Sequence, residues 1–297
     1  MKTSIQLITV FLFLTVLGNA QTVSKRETLT QKGFNPVLNV DGDKLLYTAS
    51  GFSGLNLVDL KTNAVLEISK DAGSGYEPQF STDNSKVFFR KTIFENNRRF
   101  NAVQSYDLKT KANNELLAPQ RLLNKIYPLN NGVIAFSGKN ILRATVTKSN
   151  ATPVVVSANE DLKIMLYNGK ISYINPLNMP ETRYIWVSLS PNSKKILFTA
   201  AGKGTYICDL NGKILSSLGS VNAPVWFNND YVVAMEDKDD GHRVISSKIV
   251  LISVAKKTKT DISTTNKIAM YPTASGKANR IAYHTENGEI EVVDVMM

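Results

Sequence analysis

Residues 189–200 read LSPNSKKILFTA: an apolar residue, a polar turn of Ser190, Pro191, Asn192 and Ser193, two lysines, and the run Ile196-Leu197-Phe198. Turn chemistry between short apolar runs marks a hairpin. The stretch is not private to its position. Residues 39–49 (NVDGDKLLYTA) and 81–90 (STDNSKVFFR) align with it on Lys44, Lys86 and Lys195, and weaker copies stand at 129–136, 227–234 and 274–283. Six copies of one hairpin mean one supersecondary unit used repeatedly.

Each copy has an anchor upstream where a preceding strand begins. It is Pro36, Pro78, Pro128, Pro224 and Pro272 in five copies and Val187 in the remaining one, with successive anchors 42, 50, 59, 37 and 48 residues apart. Downstream, a third strand ends on Asp59, Asp107, Asp209 or Asp294, and the string Asp-Leu-Lys-Thr recurs intact at 59–62 and 107–110. An Asp there caps the turn by accepting from the backbone just ahead of it. A fourth strand is expected at 64–68, 115–117, 153–156 and 213–215. The unit is then a four-stranded antiparallel meander of the length of a propeller blade.

A lone meander cannot bury both of its faces, so successive units must cover one another, and radial closure lets every unit do so. The expectation is an all-β fold, a six-bladed β-propeller of four-stranded antiparallel blades. The last unit supplies three strands, and residues 24–30 can supply the fourth, closing the ring by pairing the N- and C-terminal segments and removing an exposed sheet edge. The long interval from Pro128 to Val187 leaves a surplus hairpin at 161–174 around Asn168-Gly169. On the six-blade reading it decorates blade three or four; the alternative makes it part of a degenerate seventh blade.

The pattern Pro-x-Phe-Ser-x-Asp-x-x-Lys at 78–86, with its relatives at 40–44 and 190–194, resembles the propeller repeat of TolB-like proteins. The resemblance covers residues 24–297. It implies a propeller, and with it a bacterial protein of the periplasm or cell envelope, but it fixes no function. It is found in binding proteins, peptidase accessory domains and some lyases.

At the N-terminus, a thirteen-residue apolar run from Ile5 to Leu17 ends in Gly18-Asn19-Ala20. It is shorter than the about 20 residues a membrane-spanning helix needs, and reads as a signal peptide cleaved near Ala20. The organisation is a signal peptide over 1–20 and a single propeller domain over 21–297, exported to the periplasm or secreted. The formal charge of +10 is consistent with an anionic partner. Its lysines are scattered, however, and no basic helix or nucleic-acid motif accompanies them. Nucleic acid is therefore excluded, and a monomer without a transmembrane segment is expected.

Catalytic constellations are missing. Cys208 is the one cysteine and lies between apolar neighbours in a predicted strand; His242 and His284 are the two histidines and have no metal-ligand spacing. No cofactor is expected. The acidic loop with Asp237, Asp239 and Asp240 has the carboxylate alternation of a calcium loop but lacks the distal Glu. Candidate binding residues are those just ahead of the anchors, at one end of the central channel: Glu77, Tyr127, Arg183, Trp186 and Tyr271. To these the long loop of the second blade adds Arg98 and Arg99 between Phe94 and Phe100, where guanidinium groups can stack or pair. The function expected is a non-catalytic binding scaffold for a protein or glycan of the cell envelope. The alternatives are a lyase-like propeller enzyme on an acidic polysaccharide and an accessory propeller of a peptidase system.

Overall fold

The computed structural model describes residues 21–129, 131–145, 155–158, 163–179 and 181–297. The signal peptide expected over 1–20, part of the strand expected at 153–156 and the start of the surplus hairpin lie outside them.

The described strands form seven antiparallel sheets arranged as the blades of a propeller. Blade 1 comprises Phe34–Leu38, Lys44–Thr48, Leu55–Asp59 and Val65–Ser69. Blade 2 comprises Gln79–Phe80, Lys86–Glu95, Arg98–Asp107 and Asn113–Gln120. Blades 3 (Ile126–Pro128, Gly132–Ser137, Asn140–Thr145) and 4 (Val155–Ala158, Ile164–Tyr167, Ile171–Ile174) have three described strands each. Blade 5 comprises Tyr184–Leu189, Lys195–Ala200, Gly204–Asp209 and Ile214–Gly219, and blade 6 comprises Asn222–Trp226, Tyr231–Asp239, Val244–Ser253 and Lys259–Asp261. Blade 7 takes Ala269–Ser275, Arg280–Thr285 and Glu289–Met296 from the C-terminus and Thr22–Lys32 from the N-terminus, which pairs antiparallel with Glu289–Met296. The closure is the one expected from the sequence.

The blade number is not. Seven blades replace the expected six, because the 59 residues between Pro128 and Val187 hold two short blades. The segment expected to end blade three instead opens blade 4 as Val155–Ala158, pairing with Ile164–Tyr167, and the surplus hairpin completes that sheet. The apolar core makes the same point. Its buried clusters separate into seven, and each joins one pair of neighbouring blades: Ile134 and Phe136 with Met165 between blades 3 and 4, and Val156, Ile164 and Leu166 with Ile196 and Phe198 between blades 4 and 5. A ring of seven blades has seven such interfaces.

The repeated hairpin explains how the interfaces are filled. Alternation along Lys195–Ala200 sends Ile196, Phe198 and Ala200 toward blade 4 and Leu197 toward blade 6. Ile196, Leu197 and Phe198 have no exposed surface, and each contributes roughly 2 kcal/mol of transfer free energy. The turn before them is held by its first polar side chain. Ser190 Oγ accepts from the Lys194 and Lys195 amides at 3.2 and 3.0 Å, Ser81 Oγ accepts from Lys86 at 2.9 Å, and Asn39 Oδ1 accepts from Asp43 and Lys44 at 3.0 and 2.9 Å. The fourth turn residue is left-handed in each copy: Gly42, Asn84 and Ser193 have φ of 64°, 59° and 56°.

The aligned lysines sit opposite the aligned aspartates, as Lys44 with Asp59, Lys86 with Asp107 and Lys195 with Asp209. Asp107 Oδ1 accepts from the Lys109 and Thr110 amides while Oδ2 meets Lys86 Nζ at 2.9 Å. Those bonds hold its carboxyl well below the usual range. Turns of adjacent blades also bond to one another. Asn84 Nδ2 donates to Asp41 Oδ2 at 2.7 Å, Arg280 Nη1 donates to Gly42 O at 2.7 Å, and the Asn192 amide donates to Asn229 Oδ1 at 3.0 Å. The polar turns thus knit one end of the ring, and the other end is left for variation.

Candidate functional site

At that other end the innermost strands begin, and five blades begin them in the same irregular way. The residue before the anchor is left-handed in each: Asn35 (φ 50°), Glu77 (49°), Trp186 (51°), Ala223 (44°) and Tyr271 (48°). In blades 1, 5, 6 and 7 the pairing register slips there, between Phe34 and Val37, Ile185 and Ser188, Asn222 and Val225, and Met270 and Thr273. Two residues therefore face one on the neighbouring strand, which is a β-bulge. Proline suits the second bulge position, since it has no N–H to lose from the interrupted ladder. A left-handed Trp, Tyr or Glu costs about 1–2 kcal/mol, and such strain persists where surrounding structure enforces it. The bulge turns its first side chain out of the sheet and toward the channel axis.

All five left-handed residues line one cavity of about 1050 Å³ at this end of the propeller. Its walls are apolar and aromatic: Phe34, Phe52, Tyr76, Trp186, Ile245 and Tyr271. Tyr76, Trp186 and Tyr271 remain 43%, 37% and 42% exposed. Two long hairpins rise beside the mouth. In blade 2, Gln79 pairs with Phe88, so the pairing that continues to Glu95 and Arg98 projects beyond the start of the inner strand. In blade 6 the same extension carries the strand Tyr231–Asp239 past Met235, and the returning Arg243, Val244 and Ile245 reach the cavity.

Of the residues expected to bind, Glu77, Trp186 and Tyr271 line the cavity. Arg98 and Arg99 lie exposed at the blade 2 hairpin tip, on the same end but outside the cavity wall. Tyr127 does not reach it. In blade 3 the pairing is regular at Tyr127, opposite Ile134, and sends the ring against Phe136, with its hydroxyl accepting from the Val156 amide at 3.2 Å. Arg183 is exposed before the inner strand of blade 5 and lines no part of the cavity.

The three carboxylates of the acidic loop are engaged locally. Asp237 Oδ1 accepts from Asn222 Nδ2, Asp239 Oδ1 from the Gly241 amide, and Asp240 Oδ1 from the His242 and Arg243 amides. Among the described residues no three His, Cys, Asp or Glu side chains are grouped to hold a metal ion. Cys208 is buried between blades 4 and 5, and burial pushes its thiol up to about 12.

Two residues that matter at the mouth carried no motif. Arg90 and His284 occupy the repeat position four beyond the aligned Lys or Arg, where Thr48, Thr199 and Met235 stand in other blades. Arg90 is 3% exposed, donating from Nη1 to Leu123 O at 2.7 Å and from Nη2 to Asn124 O at 2.8 Å; it lies 3.7 Å from Glu77 and beneath the Tyr76 ring. Burial lowers its pKa, with Glu77 acting the other way. Lys125 crosses from blade 3 to donate to Val187 O of blade 5 at 2.6 Å, and burial lowers its pKa too. These cations brace the wall behind Glu77. In blade 7, His284 stacks on Tyr271, with centroids 5.7 Å apart and planes 17° from parallel, and meets Phe34 edge-on. The only sequence signal for either residue was the departure of one copy from the others.

No family model and no curated protein sequence matches this chain. Solved structures do. The β-propeller domain of Cps50 (Swd1) from Myceliophteria thermophila superposes with a TM-score of 0.64 at 11% identity, covering 93% of this chain and all of that domain. A chain of the Mitotic Checkpoint Complex superposes with a TM-score of 0.66 at 10% identity, covering 96% of this chain and 98% of its own. The shared fold is a seven-bladed β-propeller. At these identities the likeness extends to the fold alone. It overturns the TolB-like reading, whose short turn motif is common to propeller hairpins and does not count blades. The assignment to a bacterial cell envelope that went with that resemblance is withdrawn with it.

Proposed function

We propose that this protein is a non-catalytic, protein-binding propeller that takes its partner on the bulged end of the ring. The observation that carries the reading is the mouth cavity, ringed by Phe52, Tyr76, Trp186, Ile245 and Tyr271 with large apolar surface left exposed. Aromatic side chains in concave, desolvated pockets supply most of the energy of protein interfaces. Local strain held at five equivalent positions is what a preorganised binding surface requires. One of the similar structures belongs to the Mitotic Checkpoint Complex, which agrees with such a role. The leader at 1–20 makes export part of the proposal, and N-terminal sequencing of secreted protein should then start at Gln21.

Photo-crosslinking tests the surface. A photoreactive amino acid at Trp186 or Tyr271 should give discrete crosslinked protein species in the source cells or their medium, whereas one at Leu215, exposed on the outer strand of blade 5, should not. Equal labelling from all three positions, or binding to a glycan array with no protein crosslinks, would overturn the proposal.

A further inference from the structure

Two carboxylates line the mouth of this basic chain, and one of them, Glu77, is already faced by the buried Arg90 at 3.7 Å. The chain carries +10, yet the charged residues of the cavity are Glu77, Glu286 and Arg243. Arg243 is exposed at the rim and within 4.0 Å of Asp240. The exposed carboxylate of Glu286 accepts from the Ile268 amide at 3.0 Å, and among the described residues no cation pairs with it. The Glu286 charge stands beside low-dielectric walls, which strengthen its field on whatever enters. Here those walls are aromatic, and the negative faces of Phe, Tyr and Trp rings attract cations.

His284 adds a second, independent indication. It is 3% exposed and borders the cavity under the Tyr271 ring. Its Nδ1 lies 2.9 Å from Thr285 O. A carbonyl only accepts, so Nδ1 carries the proton and Nε2 presents a lone pair. Among the described residues nothing donates to Nε2. An unpaired acceptor in such a place is destabilising, and the hairpin repeat does not need a His there, since Thr and Met serve in other blades. The wall therefore holds acceptors, Nε2 and the Glu286 carboxylate, beside π faces.

We propose that the cavity between Trp186, Tyr271 and Glu286 seats a cationic side chain, arginine or lysine, presented by the protein partner. The proposal rests on the reading that the mouth is the protein-binding surface and names the chemistry it selects. The cation lies against the exposed rings of Trp186 and Tyr271 and pairs with Glu286. A turn of the Tyr271 side chain opens His284 Nε2 to one of its N–H donors. Arg98 and Arg99 stand outside this cavity and are free to meet acidic residues flanking the inserted side chain.

Calorimetric titration of the full chain with the capped tripeptides Ac-Ala-Arg-Ala-NH2, Ac-Ala-Lys-Ala-NH2, Ac-Ala-Gln-Ala-NH2 and Ac-Ala-Glu-Ala-NH2 tests it. The two cationic peptides should bind saturably, and the Gln and Glu peptides about fivefold more weakly or worse, the value of one cation–π or charge-assisted contact. Glu286→Gln keeps the acceptor for Ile268 and removes the charge; it should weaken the cationic peptides by a similar factor without changing the circular dichroism. His284→Phe, which keeps the stacking, should do likewise. No saturable heat with either cationic peptide, equal binding of the Gln peptide, or tighter binding of the Glu peptide overturns the proposal. If crosslinks still map to Trp186 and Tyr271 in that event, only the charge preference falls; if they leave the mouth, both readings fall.

Discussion

Replacing Arg90 by Met should separate a wall held by a buried cation from one held by apolar packing alone. Met keeps most of the stem that Arg90 buries between blades 2 and 3 but removes the guanidinium. Two backbone carbonyls, Leu123 O and Asn124 O, then lose donors at 2.7 and 2.8 Å. Hydrogen bonds to a charged group contribute about 1.5–3 kcal/mol each, so the gross loss is roughly 3–6 kcal/mol. The Glu77 contact at 3.7 Å adds little, because that carboxylate is 45% exposed. Relief of the guanidinium desolvation works in the opposite direction, since burial is what lowers its pKa. It does not cancel the loss, because the partner carbonyls remain where they are. The net cost expected is about 3 kcal/mol, or a fall in Tm of roughly 5 °C for a domain of this size.

Urea unfolding followed by the fluorescence of Trp186 and Trp226 would measure it, with Arg98→Met as the exposed control expected within about 0.5 kcal/mol of the parent. A loss for Arg90→Met below about 1 kcal/mol would show that the carbonyls find water readily and that Arg90 does not brace the mouth.

Other substitutions test separate parts of the account. Ser190→Ala should cost about 1–2 kcal/mol in the same unfolding assay, because the buried Ser190 Oγ is the acceptor for two turn amides; no change would refute the role assigned to the repeat's first polar residue. His284 is depressed below its usual 6.5 by burial, so its neutral form is favoured in the fold. Its contribution is whole above about pH 6.5 and declines as pH falls below that value, by at most about 1.4 kcal/mol per pH unit. Against the ring stand Tyr271 and Phe34, and no charged partner bonds it. The His284→Phe protein should therefore show a flatter stability profile between about pH 5 and 6.5 than the parent, and identical profiles would contradict the burial argument. Cys208, with its thiol pushed up to about 12, should resist a thiol reagent near neutral pH in the native protein and react fully in denaturant. Rapid native labelling would place it outside the blade interface.

How much of this was legible in the sequence depends on how local the cause was. Ser190, Asn192 and Ser193 form their turn through bonds spanning at most five residues, so residue identity alone announces the hairpin. The aspartates ending the third strands act just as locally. Tyr127 does not reach the cavity although Pro128 looks like the other anchors; the left-handed conformation shared by Glu77, Trp186 and Tyr271 is absent at Tyr127, which pairs regularly with Ile134. Blade 4 was folded into its neighbour because its strands are short and its inner strand has no proline anchor.

The sequence by itself determined the all-β class, the hairpin repeat and the closure of the ring by its two ends, since alternation and turn chemistry act over a few residues. Only the tertiary structure decided that there are seven blades, because blade number is set by how many faces must be covered around the ring, not by any one hairpin. The same holds for the mouth. Asn35, Glu77, Trp186, Ala223 and Tyr271 lie up to 236 positions apart and converge only because the ring closes, while Arg90 and His284 gain their chemistry from the burial that closure imposes.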